Sequence, residues 1–219
     1  MMTRWTATTL IMLCLAALPA YGQSGDTEDA AELLSKRLSD YRSYQADFEQ
    51  TVQSPDGERL QKTTGELSAR RGGDFYWHTD PPMEQKIVTS GKKVRVYDPD
   101  LRQVTIYPLE ERIASTPALL LSGEVGNLSE TFRIRRETTS EGERFILEPR
   151  DKDTLFLELS MRFDSEGVLR GMELNDSLDQ RSDLRFREVV LNESIPDERF
   201  ELDAPDDVDV IRSGGDGAR

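Results

Sequence analysis

The chain has 219 residues, a net charge of −14 and a single cysteine, Cys14. Such an acidic protein repels nucleic-acid phosphates and anionic lipid head groups, which argues against nucleic-acid binding and against stable insertion into a membrane. One cysteine excludes an internal disulfide, so the fold must depend on its hydrophobic core.

The N-terminus has the features of a secretory signal. Arg4 supplies a positive charge, Leu10–Leu18 is an apolar run, and Ala20-Tyr21-Gly22 is a small-x-small cleavage site. The run is shorter than the about 20 apolar residues that cross a bilayer, although an uncleaved anchor is the alternative. We therefore predict a signal peptide over residues 1–22 and one mature domain over residues 23–219.

Hydrophobic periodicity predicts one helix followed by many short strands. The helix is predicted over Asp29–Tyr41, because Ala30, Leu33, Leu34 and Leu38 fall on one face. From Tyr44 the apolar period changes to two, which is typical of half-buried strands. The predicted strands are Tyr44–Gln53, Leu60–Ala69, Asp74–His78, Gln85–Thr89, Lys93–Tyr97, Gln103–Tyr107, Thr131–Glu137, Arg144–Pro149, Leu155–Asp164, Leu169–Asp176 and Arg181–Asn192.

A short apolar segment, Ile113–Ser122, interrupts the strands. Ser115 or Thr116 can cap a helix there and Pro117 suits its first turn. Leu119–Leu121 are consecutive, so they cover most of the helix circumference instead of one stripe. The segment is either a helix buried in the core or a lid over a cavity.

Eleven antiparallel strands with two helical interruptions predict a mainly β protein of the α+β type. A single strongly curved sheet would present one apolar face for the helices to cover. A closed barrel is the competing architecture. The polar tail from about residue 212 is predicted to be disordered.

The sequence does not predict a catalytic or metal site. His78 is the only histidine, and no nucleophile elbow or glycine-rich oxyanion loop accompanies it. The aspartates near residues 203–209 are clustered but lack the spacing of a calcium loop. We therefore expect neither enzymatic activity nor a cofactor, with a lipid hydrolase as the enzyme alternative.

Several short motifs, in order along the chain, resemble one known family. They are Phe48-Glu49-Gln50, Gly65-x-Leu67, Arg71, Phe75-x-Trp77, Pro82, Ile87-Val88, Gly91, Tyr97-Asp98-Pro99-Asp100-Leu101-x-Gln103-Val104-Thr105, Thr116-Pro117-Ala118-x-Leu120-Leu121 and Phe200-x-Leu202-x-x-Pro205. In this order and spacing they resemble the LolA family of periplasmic lipoprotein carriers.

The resemblance implies an incomplete β-barrel covered by a helical lid. It also implies a monomer in the periplasm of a Gram-negative bacterium. Such a protein takes lipoproteins from an inner-membrane ABC transporter, shields their acyl chains in a hydrophobic cavity, and passes them to an outer-membrane receptor. A sensor that binds lipidated or misfolded envelope proteins on the same scaffold is the alternative.

The resemblance also assigns roles to individual residues. Arg71 matches an arginine that holds the lid shut, and Phe75 matches a phenylalanine linked to handover from the transporter. The latch partners lie near Leu38, Leu121 and Ser122. Gly72 departs from the proline that the family usually has after this arginine, which predicts a looser turn.

The lipid cavity is expected between the apolar sheet face and the lid. The residues predicted to line it are Phe48, Phe75, Trp77, Leu119, Leu120, Leu157, Leu159 and Met161. The assignment of the strand residues to this face depends on the alternation within each strand, because a shift of one residue moves a side chain to the other face.

Overall fold

The computed structural model describes residues 27–109, 116–123, 128–151 and 156–213. Its helices are α1 (Thr27–Ser39), the 3₁₀ helix η1 (Pro117–Ser122), α2 (Leu128–Thr131) and the 3₁₀ helix η2 (Asp197–Phe200). Its strands are β1 (Ser43–Gln53), β2 (Arg59–Arg70), β3 (Asp74–Thr79), β4 (Gln85–Ser90), β5 (Lys93–Asp98), β6 (Gln103–Pro108), β7 (Phe132–Thr139), β8 (Gly142–Pro149), β9 (Phe156–Asp164), β10 (Leu169–Asp176), β11 (Arg181–Leu191) and β12 (Asp209–Arg212). The predicted signal peptide lies outside the described residues.

These strands form one curved sheet in the order β12-β6-β5-β4-β3-β2-β1-β11-β10-β9-β8-β7. β1 lies in its middle and pairs antiparallel with both β2 and β11. The edge strands β12 and β7 do not pair with each other, so the sheet is open. The predicted curved sheet is confirmed, and the competing closed barrel is wrong.

The eleven predicted strands are confirmed with shifts of one or two residues at their ends. β12, which pairs in parallel with β6, was not predicted from the sequence. All four residues of β12 are exposed, so it has no apolar alternation to mark it. The prediction of a purely antiparallel sheet is wrong at this one pair.

The connection from β6 to β7 joins the two halves of the sheet and contains η1 and α2. η1 packs against β2, β3 and β10, whereas α1 packs against β7 and α2. Both therefore cover the apolar face of the sheet. No helix within the described ranges is long and apolar enough to cross a membrane.

The C-terminal end of α1 is fastened to the sheet by a tyrosine. The Tyr41 hydroxyl donates to the carbonyl of Gly167 over 2.8 Å and accepts from the amide of Leu169 over 3.0 Å. The Tyr44 hydroxyl donates to the Leu169 carbonyl over 2.8 Å. Burial raises the pKa of both phenols, so they remain neutral hydrogen-bonding groups at physiological pH.

A partly buried ion pair also attaches α1. Arg37, in the last turn of α1, lies 3.2 Å from Glu143 on β8, and Arg136 on β7 lies 2.6 Å from the same carboxylate. Burial alone would raise the pKa of Glu143, but the two arginines outweigh it and the pKa lies below its usual value. Glu143 is therefore held as a carboxylate beneath the helix.

Candidate functional site

Three aromatic residues on β1 and β3, the two strands that flank β2, form the centre of the apolar face. Phe48 on β1 stacks on Trp77 of β3, with ring centroids 3.8 Å apart and planes inclined by 22°. Phe75, also on β3, lies 6.5 Å from Trp77. All three rings are buried. The structure thus brings these three predicted cavity residues together.

Gly65 makes room for this stack. It lies opposite Phe48 in the β1–β2 ladder, and a β-carbon there would come within 2.7 Å of the Phe48 ring and 1.9 Å of the His78 carbonyl oxygen. Only glycine therefore lets the ring of Phe48 lie flat across β2 and reach Trp77.

Strand β9 contributes two of its three predicted residues. Leu159 and Met161 are buried, whereas the side chain of Leu157 is 54% exposed. The register between β9 and β10 shifts where Glu158 and Phe156 pair with Asn175 and Asp176. This irregularity leaves Leu157 unpaired and turns it outward, so the predicted alternation fails at Leu157.

η1 covers this surface with apolar side chains. Leu119, Leu120 and Leu121 are all buried, as the consecutive leucines predicted. η1 is wound more tightly than an α-helix, since a hydrogen bond joins the Leu119 amide to the Thr116 carbonyl, three residues back. Of the two predicted caps, the Thr116 hydroxyl does not cap η1, and Ser115 lies outside the described ranges. Residues 113–115 of the predicted helix lie outside the described ranges.

The C-terminal end of η1 is tied to the β2–β3 turn by the backbone. The Gly73 amide donates to the Ser122 carbonyl over 3.1 Å, and the Ser122 hydroxyl donates to the Leu119 carbonyl over 2.8 Å. Gly123 ends η1 with a left-handed φ of +78°. The bond from Gly73 was not predicted, although it lies next to the looser turn expected at Gly72.

Arg71 lies beside this junction without bonding to it. Its Cγ is 3.9 Å from the point where a β-carbon on Gly123 would stand. Its side chain is exposed and makes no hydrogen bond or ion pair within the described ranges. Of the predicted latch partners, Leu121 and Ser122 are buried close by and Leu38 is half-buried on α1.

The turn that follows Arg71 could not contain the family's usual proline. Gly72 has a φ of +105° and Gly73 a φ of +96°. Proline is fixed near −65°, so this turn needs a residue without a β-carbon. The departure noted in the sequence therefore corresponds to a different turn geometry.

A cavity of about 320 Å³ opens at the opposite end of η1. The Thr116–Ala118 end of η1 forms one wall, and the strand ends near the β1–β2, β3–β4, β5–β6 and β10–β11 turns form the others. We call this opening the mouth. η1 is thus tied at its C-terminal end and bordered by the mouth at its N-terminal end.

The ring of His78 lies next to a residue of the cavity wall. Its Nε2 is 3.3 Å from Glu84, which lines the cavity. Within the described ranges, no group of three histidine, cysteine, aspartate or glutamate side chains could hold a metal ion. The arrangement suits the enclosure of an apolar group.

Comparison with known proteins identifies the family. Residues 39–203 match the family described as "Outer membrane lipoprotein carrier protein LolA". A Pseudomonas putida protein named "Outer-membrane lipoprotein carrier protein" is 41% identical over 91% of this chain and 94% of its own length. A protein of the same name from Hahella chejuensis is 41% identical over 93% of this chain and 97% of its own.

A solved structure supports the fold alone. An uncharacterized conserved protein from Thermus thermophilus superimposes with a TM-score of 0.52 and 15% identity, covering 84% of this chain and 99% of its own. Together with the sequence matches over most of the chain, these comparisons show that the chain belongs to the LolA family of outer membrane lipoprotein carrier proteins.

Proposed function

We propose that this protein is a periplasmic chaperone that carries lipoproteins from the inner membrane to the outer membrane. The observation that carries the proposal is the apolar sheet face covered by an apolar helix, in a chain whose relatives are named lipoprotein carriers. Those names do not favour the alternative of an envelope sensor. The carrier would act without catalysing a reaction.

The energetics require a protected apolar site. Each buried methylene of an acyl chain is worth about 0.8 kcal/mol, so the chains of one lipoprotein together represent tens of kcal/mol. Leaving a membrane is uphill unless a second apolar surface receives the chains. The aromatic centre of the sheet and the leucines of η1 supply such a surface. Covering it when empty prevents aggregation.

The lid must move for cargo to enter. The cavity of about 320 Å³ is at the lower end of the range for pockets that hold drug-sized molecules, too small for several acyl chains. Displacing η1 would add the space that its buried leucines now fill. The energy of opening lowers the net affinity by the same amount, which allows onward transfer to a better acceptor.

We propose that the acyl chains contact the residues that are buried together in the closed structure. They are Phe48, Phe75, Trp77, Leu119, Leu120, Leu159 and Met161. Leu157 is left out of this assignment because it faces solvent. Phe75 is fully buried, so a handover role at the transporter would require the open lid.

We retain Arg71 as a candidate latch. Its position beside Gly123 would let the guanidinium reach backbone carbonyls near Leu121 and Ser122. If it does so, Arg71→Leu should block lid closure or cargo release. A variant that carries and delivers lipoprotein normally would remove Arg71 from the mechanism.

The proposal is tested by native mass spectrometry. The mature protein is mixed with inner-membrane vesicles that contain the lipoprotein-releasing ABC transporter and a triacylated lipoprotein. A soluble one-to-one complex that forms only with ATP is expected. Ala118→Phe is the matched variant in which the complex should be reduced. Ala118 is buried beside the cavity, so the added ring would occupy the cavity. Absence of a complex with a folded carrier and an active transporter would overturn the proposal.

An outer-membrane receptor is the expected acceptor, and the carrier is expected to act as a monomer. Transfer can be measured by adding outer-membrane vesicles to the purified complex and following the lipoprotein into the pellet. Retention of all cargo in the supernatant would argue against delivery by this protein alone.

A further inference from the structure

The mouth combines an apolar floor with a polar rim. Trp77, Ile87 and Leu184 belong to the floor and are buried. The rim carries the amide side chains of Gln50 and Gln61. An acyl chain needs only the floor, so the rim suits a part of the ligand that contains polar groups.

The rim is also acidic. Glu84 in the β3–β4 loop and Asp98 and Asp100 near the β5–β6 turn line it, and the described lining includes no lysine or arginine. Asp98 is fixed in place, since its carboxylate accepts a hydrogen bond from the Leu101 amide over 3.0 Å. The mouth therefore presents negative charge on a stable turn.

Neutral hydrogen-bonding groups lie across the mouth from these carboxylates. The Gln50 amide donates to the Ser182 hydroxyl over 2.7 Å. Thr63 is buried beside them. Hydroxyl and amide groups in this setting can bond to peptide or ester carbonyls.

The other end of η1 is closed by the bond between Gly73 and Ser122. A polypeptide attached to enclosed acyl chains therefore has its way out at the mouth. We propose that the mouth binds the cargo segment that directly follows the lipidated residue, and that its carboxylates favour cationic over acidic segments. This inference rests on the proposed carrier function and adds a preference for charge.

The preference can be measured with two synthetic triacylated peptides. They share the lipidated cysteine and differ only in the four residues after a common serine, which are lysines in one and glutamates in the other. Binding to the purified mature protein is followed by Trp77 fluorescence at low salt. We expect roughly tenfold tighter binding of the lysine peptide, because three acidic residues line the mouth. The ratio should shrink at high salt.

A triple variant separates the mouth from the overall negative charge. Glu84→Gln, Asp98→Asn and Asp100→Asn together should bring the ratio close to one. The matched control changes three exposed carboxylates elsewhere: Glu141→Gln, Glu166→Gln and Glu198→Gln. It should keep the ratio of the parent protein. An equal loss in both variants would overturn the role of the mouth.

The failures of the two proposals can be distinguished. If neither peptide binds, the carrier function itself fails. If both bind with the same affinity to the parent protein, only the charge preference fails.

A photo-crosslinking residue locates the segment independently. Placed at Gln61, it should label the peptide part of bound cargo. Placed at Thr64, three residues along β2 and exposed outside the mouth, it should not. Equal labelling from both positions would overturn the proposed exit.

Discussion

The Gly73 amide donates to the Ser122 carbonyl over 3.1 Å, and this bond fastens η1 to the β2–β3 turn. It depends on the conformation of the turn, because Gly72 and Gly73 both have positive φ angles. η1 is thus held here by backbone atoms, with Arg71 alongside. A single backbone bond contributes about 1 kcal/mol, a small cost for the lid opening that we propose.

Changing Gly72 should loosen the lid. Gly72→Pro forces φ toward −65° and should misplace the Gly73 amide. Gly57→Pro is the control, since it makes the same change at an open turn with a φ of +85° that is not bonded to η1. We expect Gly72→Pro to bind more of a hydrophobic fluorescent dye than either the parent or Gly57→Pro. Equal dye binding by all three would show that this turn does not control the lid.

Two leucines on β9 should respond very differently to truncation. Leu159 is buried, so Leu159→Ala should lower the free energy of unfolding by about 2–4 kcal/mol. Leu157 is exposed, so Leu157→Ala should change it by less than about 0.5 kcal/mol. Urea unfolding followed by circular dichroism measures both. A large loss of unfolding free energy from Leu157→Ala would instead support the predicted alternation, in which Leu157 faces the cavity.

The strand residues show what periodicity can and cannot predict. Alternation placed Phe48, Phe75 and Trp77 on one face correctly, because their strands pair there without a shift. It failed at Leu157, since a change of register depends on the partner strand and leaves no mark in the sequence of β9 itself.

The attachment of η1 shows a second limit of prediction from the sequence. The leucines of η1 were recognisable from their composition, but their anchor is the main-chain amide of Gly73. Every residue except proline has such an amide, so its partner becomes visible only with the fold. β12 was missed for a similar reason, because backbone pairing with β6 holds its exposed residues in the sheet.

Gly65 should be required for the aromatic stack. In Gly65→Ala the new β-carbon would overlap the Phe48 ring and the His78 carbonyl, so we expect a loss of about 1–3 kcal/mol in unfolding free energy. Trp77 is the only tryptophan outside residues 1–22, so its fluorescence in protein prepared without those residues reports the displaced Phe48 directly. Gly57→Ala, at an open turn with a φ of +85°, should leave the emission spectrum unchanged. Identical spectra for both variants would contradict the proposed packing.

Asp164 should make the stability of the β9–β10 turn depend on pH. Burial alone would raise the pKa of Asp164, but hydrogen bonds from the Val168 and Glu166 amides and from Arg170 outweigh it, so the pKa lies below its usual value. A carboxyl whose pKa is lower in the folded state stabilises the protein above its unfolded pKa of about 4, and this contribution disappears as the pH falls.

Asp164→Asn should therefore lower the free energy of unfolding by about 1–2 kcal/mol at pH 7, because the charge-assisted bond to Arg170 is lost. The difference from the parent should narrow when urea unfolding is repeated at pH 5, 4 and 3. Asp203→Asn removes an exposed carboxylate and should stay within about 0.5 kcal/mol of the parent throughout. The difference in unfolding free energy between Asp164→Asn and the parent could instead stay constant from pH 7 to pH 3. That result would show that the negative charge of Asp164 does not stabilise the fold, because protonation of the carboxylate would then have no effect.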